Sequence, residues 1–143
     1  MIMKRKFPLI NTLVVMILLF ILSACSNPTQ TPANTALDPE ILAVASPMAE
    51  NLMVALKNND FQAFRANYDD AMLNATTIDT FQSLRIQLES QLGAYQSMTP
   101  IQIQTGGGFI NVFYTVNFEK GPVTMQLVLT EGEPHLISGL WFK

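Results

Sequence analysis

The hydrophobic period of this sequence changes near Ala94, and that change limits the fold more than any other feature. Upstream, Ile41, Ala45, Met48, Leu52 and Leu56 recur at helical spacing, as do Phe81, Leu84, Leu88 and Leu92. Downstream, apolar residues alternate. Ile110, Val112, Tyr114, Val116 and Phe118 share one face of a strand, with Phe109, Asn111, Phe113, Thr115 and Asn117 opposite. Val123, Met125, Leu127 and Leu129 repeat the pattern, and Ile101 and Ile103 alternate with glutamines. Gly106-Gly107-Gly108, Glu119-Lys120-Gly121-Pro122 and Glu131-Gly132-Glu133-Pro134 separate the strands. Connections this short join antiparallel neighbours. Helices followed by such a meander predict an α+β domain, three N-terminal helices packed against a four-stranded antiparallel sheet.

The helix boundaries are written in capping chemistry. Asp38-Pro39-Glu40 supplies a capping carboxylate, a proline for the first turn and an acid near the positive helix end. Pro47 interrupts this first helix and predicts a kink, or a restart with Ser46 as cap. Asp60 is placed to cap a second, short helix carrying Phe61, Phe64 and Tyr68 and stopping near Asn74. A third begins at Thr76 or Thr77, where Thr76 and Asp79 have capping-box spacing, and Gly93 suits its end. Residues 38–143 suffice for one hydrophobic core and not for two.

Ahead of this domain, Lys4, Arg5 and Lys6 precede an uncharged run from Phe7 to Leu22. As a helix that run would span roughly 24 Å, short of the ~30 Å hydrocarbon core of a bilayer. It is better suited to a secretory signal peptide. The run ends in Leu22-Ser23-Ala24-Cys25, which resembles the bacterial lipoprotein box. The resemblance implies diacylglyceryl transfer to the Cys25 thiol, cleavage after Ala24, and acylation of the new amino terminus by a chain such as palmitate. Several acyl chains make a durable anchor where one does not. Residues 1–24 are then a signal peptide, and the expected location is the bacterial cell envelope, lipid-anchored on the extracytoplasmic side of a membrane. Residues 25–37 form the lipidated cysteine and a tether rich in Pro, Thr and Asn, too polar to offset the entropy of ordering.

Cleavage would also change the charge balance. The whole chain has 8 basic and 11 acidic side chains. Without Lys4, Arg5 and Lys6 the basic set falls to 5, a formal −6. So acidic a domain lacks the cationic field that nucleic acid or an anionic lipid surface requires. Neither is expected as a partner, and contact with the membrane is expected only through the lipid on Cys25.

Four segments carry a resemblance across nearly the whole domain: Asn59-Asp60-Phe61, Tyr68-Asp69-Asp70-Ala71-Met72, Gln91-Leu92-Gly93-Ala94-Tyr95 and Ile137-Ser138-Gly139-Leu140-Trp141-Phe142. Their order resembles the cone-shaped nuclear-transport-factor-2-like fold. More narrowly, it resembles a bacterial domain family of unknown function found on exported lipoproteins. The resemblance implies a bent sheet around three helices, with a cavity between them. Enzymes of the wider fold, resembling ketosteroid isomerases and polyketide cyclases, place an acid/base group and a hydrogen-bond donor inside the cone. Here that implies Asp69 or Asp70 as base with a tyrosine as donor.

Read as residues, these candidates have plainer uses. Adjacent carboxylates near a helix end usually solvate or cap it, and His135 follows Pro134 at a turn. A lone His without Cys or His partners makes no zinc site, so neither metal nor cofactor is expected. Gly106-Gly107-Gly108 precedes a strand and has no following Lys, so it reads as a turn and not a phosphate cradle. Tyr68, Tyr95, Tyr114 and Trp141 are expected to line any pocket, with polar tips at its rim. Phe109 and Phe113 fall on the face that a half-solvated sheet leaves wet, and so are expected at an interface, such as a homodimer. The sequence thus favours a non-catalytic module binding a small apolar ligand or an envelope protein. Its alternatives are an isomerase- or cyclase-like enzyme and a purely structural dimerisation unit.

Overall fold

The computed structural model describes residues 33–143. The segment read as a signal peptide, Cys25 and most of the segment read as a tether lie outside the described residues. Strand β1 (Ala33–Thr35) is followed by helices α1 (Pro39–Asn58), α2 (Phe61–Phe64), α3 (Asp70–Ala75) and α4 (Ile78–Leu92). Strands β2 (Tyr95–Gly106), β3 (Phe109–Phe118), β4 (Gly121–Thr130) and β5 (Ile137–Phe142) complete the α+β domain. The four long strands form an antiparallel meander, and β1 adds a short edge against β2, in sheet order β1-β2-β3-β4-β5. The segment read as tether therefore contributes three residues to the sheet.

The described chain has four helices where three were expected. The second helix is split: α2 ends at Phe64, and α3 restarts with Asp69 as its cap. Between them Tyr68 forms a parallel bridge to Ile137 of β5, with Asp69 N–H donating to Ile137 O at 3.0 Å and Ile137 N–H to Asn67 O at 2.8 Å. Those backbone groups are spent on the sheet and cannot continue a helix. Helix α1, in contrast, runs unbroken through Pro47. Pro47 and Ala43, the residue whose carbonyl loses its partner, are both exposed, so the missing bond lies on the solvent side. The capping box at α4 joins Thr77 and Thr80, not Thr76 and Asp79. Asp38, Asp60 and Gly93 cap as their sequence positions predict.

Alternation in β3 holds along its length, and Ile110, Val112, Tyr114, Val116 and Phe118 all point inward and are buried. In β2 the register shifts between Pro100 and Gln102, and Ile101 in that bulge is half exposed while Ile103 is fully buried. Such bulges bend a strand and raise its twist. The inner face receives Leu52, Met53 and Leu56 of α1 and Phe81 and Leu88 of α4. Phe61, Phe81, Phe64 and Tyr68 form a chain of rings with centroids 5.0–5.6 Å apart. No polar or charged residue is buried among those described. Burying each large apolar side chain contributes about 1.5–3 kcal/mol, and the side chains of both layers form one continuous core cluster.

Candidate functional site

The four aromatic residues expected around a pocket go to different places. Tyr114 is fully buried in the centre of the core, its hydroxyl 3.4 Å from Ser46 Oγ. Burial raises its pKa, and the Ser46 contact offsets part of that. Tyr68 is buried beneath β5, and burial pushes its pKa well above the usual phenol value. Trp141 is half exposed on the outer face of the sheet. Tyr95 lines an open pocket.

That pocket lies at one end of the helix–sheet layer, on core residues of both. It has a volume of about 350 Å³, within the range of small-ligand sites. The last turns of α1 contribute Met53, Leu56 and Lys57, and the second half of α4 contributes Arg85, Leu88 and Glu89. Gly93, Ala94 and Tyr95 form one wall, and Phe118, Glu119 and Lys120 of the β3–β4 hairpin form the other. Its floor is apolar and its rim charged.

Local chain geometry builds this rim. Gly93 ends α4 with φ +79°, the left-handed region that favours glycine. A side chain there would strike Glu119, whose Oε2 accepts from Ala94 N–H at 3.0 Å. Lys120 closes the helix end, its N–H donating to Leu92 O at 2.9 Å and its Nζ to Ser90 O at 2.8 Å. Arg85 pairs with Glu89 at 3.0 Å. Among the described residues the close contacts between basic and acidic side chains are Arg85–Glu89 and His135–Glu133, so Lys57 stands at the rim without a carboxylate partner.

Residues 49–133 match the model of a family described as protein of unknown function, DUF3887. The chain belongs to that family. Every residue that lines the pocket lies inside the segment that defines DUF3887 membership, whereas Ser138 and Trp141 lie beyond it. No curated protein and no solved structure matches the chain.

The acid and base candidates have structural partners. Asp69 Oδ1 accepts from Met72 N–H at 2.8 Å as the cap of α3, and Oδ2 accepts from the Ser138 hydroxyl. The Ser138 bond, then the Met72 bond, hold its carboxyl below the ordinary value, which weakens it as a proton acceptor. Asp70 is exposed in the first turn of the same helix. His135 lies in the β4–β5 connection, with Nδ1 2.8 Å from Thr130 O and Nε2 3.2 Å from Glu133. Among the described residues no group of three His, Cys, Asp or Glu could hold a metal.

Phe113 and Trp141 lie in one row across the outer face, Phe113 opposite Gln126 and Gln126 opposite Trp141. Lys143 Nζ sits 5.9 Å from the centre of the Phe113 ring. Trp141 folds over Gly139, where no Cβ fits. Phe109, at the start of β3, is 42% exposed.

The charged rim was not singled out from sequence. Its signal was the scarcity of cations: after residue 25 the chain has only Lys57, Arg65, Arg85, Lys120 and Lys143. Lys57 and Lys120 also stand at a helix end and a hairpin turn, positions set by the pattern of caps and strands.

Proposed function

We propose that this protein is a lipid-anchored, extracytoplasmic binding module, tethered through Cys25 and of nuclear-transport-factor-2-like form, that holds a small ligand at the end of its domain. The observation carrying this reading is the pocket among α1, α4 and the β3–β4 hairpin, where the buried core cluster meets a charged rim. Met53, Leu56, Leu88, Tyr95 and Phe118 offer an apolar bed to such a ligand. The acid–phenol contact beside the pocket joins Tyr95 to exposed Glu50, a surface tie and not a buried dyad. Binding is therefore favoured over isomerase or cyclase chemistry.

The test uses the lipid-anchored chain in nanodiscs of zwitterionic lipid. A library of small amphiphiles should contain members that raise its Tm. Ala94→Trp, which adds bulk at an exposed wall position while keeping the backbone bonds, should abolish the rise. Identical shifts in both proteins would place the binding elsewhere.

The row of Phe113 and Trp141 with neighbouring Phe109 favours a second reading, in which the outer sheet face pairs two copies of the chain or receives an envelope protein. The two readings use different surfaces and are compatible.

A further inference from the structure

We infer that the pocket selects amphiphiles with an acidic head group, a carboxylate or a phosphate monoester on a short hydrocarbon or aromatic body. This inference rests on the binding reading above and names the ligand's chemistry. Its basis is the uneven distribution of charge. Beyond residue 25 the chain carries five cationic and eleven acidic side chains. Three of the five cations, Lys57, Arg85 and Lys120, line this one pocket, against two of the eleven acids, Glu89 and Glu119. A domain of net −6 thus concentrates its positive charge in one concave place with an apolar floor.

The rim acids are already engaged. Glu89 is held by Arg85, and Glu119 accepts the Ala94 N–H. Two helices present their C-terminal ends here, a feature that would repel an anion if left open. Those ends are partly closed. Asn59 and Asp60 N–H donate to Leu56 O and Ala55 O at α1, Gly93 N–H donates to Glu89 O at α4, and Lys120 takes Leu92 O and Ser90 O. Lys57 is left as a cation without a carboxylate partner, beside Leu56 on the same rim. An acidic head group would complete it while the hydrocarbon displaces water from Met53, Leu88 and Phe118.

The experiment measures binding of hexanoate, hexyl phosphate, hexanol and hexylammonium to the anchored chain in zwitterionic nanodiscs, with protein-free nanodiscs as blank. Hexanoate and hexyl phosphate should bind more tightly than hexanol, and hexylammonium most weakly. Comparison of the two anions distinguishes a carboxylate ligand from a phosphorylated one. Lys57→Glu should weaken both anions about tenfold, the scale of losing and reversing one partly exposed charge contact, and leave hexanol unchanged. Lys143→Glu makes the same charge change outside the pocket and should leave all four unchanged. Equal binding of hexanol and the anions, or equal losses in both variants, would overturn the head-group inference while leaving the pocket reading standing. Binding of none of the four would overturn both.

Discussion

The Tyr95 hydroxyl donates to Glu50 Oε2 at 2.6 Å, tying the first residue of β2 to the middle of α1. This bond fixes the wall of the pocket against the helix that supplies its floor. Tyr95→Phe should cost about 1 kcal/mol of stability, the net worth of an exposed bond to a carboxylate. It should also loosen the pocket, so that ligand affinity falls by more than stability does. Denaturant midpoints and ligand titrations on the same variant separate the two effects.

Tyrosine ionisation sets the alkaline limit. Burial raises the pKa of Tyr68 and Tyr114, and burial followed by the Glu50 contact raises that of Tyr95. Above about pH 10 the unfolded chain releases phenolic protons that the folded chain retains. The unfolded state then binds fewer protons, so stability falls as pH rises. Unfolding free energy measured from pH 9 to 12 should decline, and Tyr68→Phe should flatten part of the decline.

Asp69 governs the acid side. Its carboxyl is held below the usual range, first by the Ser138 hydroxyl and then by Met72 N–H. A depressed pKa contributes stability above the unfolded value of about 4, lost as pH falls through the folded value. Asp69→Ala should cost about 1–2 kcal/mol at neutral pH, chiefly through the lost cap, and should reduce the acid sensitivity seen in the wild type. Urea midpoints at pH 3 and pH 7 test both effects.

Gly139 has room only for hydrogen because Trp141 covers it. Gly139→Ala should displace the indole and cost about 1–3 kcal/mol, as overpacking does. Trp141 is the single tryptophan of the chain, so its fluorescence reports the displacement directly. In the double variant with Trp141→Ala the two costs should add to less than their sum.

Sequence patterning read the sheet more completely than the helices. The alternation from Ile110 to Phe118 specified which face is buried, because a one-residue slip would have put every side chain on the wrong side. The Tyr68–Ile137 bridge joins residues far apart in the chain, and no local signal announces that it cuts a helix in two. At Pro47 the helix does not restart, for the opposite reason. Its local penalty is real, but an exposed position leaves nothing buried to go unsatisfied. For the site, ring chemistry alone could not distinguish Tyr114, which fills the core, from Tyr95, which lines the pocket. Trp141 fell on the outer face through strand register, which the short sequence of β5, shifted by a bulge against β4, does not display. The pocket itself arises where two helix ends meet a hairpin, a tertiary juxtaposition with no period of its own.

The most direct test of the binding account is a methyl NMR titration of the full chain, labelled at its methionines and held in a zwitterionic nanodisc, with hexanoate as the probe. Met53 lines the pocket, and Met125 is buried in the sheet's inner face. The account predicts a saturable shift of the Met53 methyl with Met125 unmoved, and its loss in Ala94→Trp. A spectrum in which Met53 stays still while other methionines respond would contradict it.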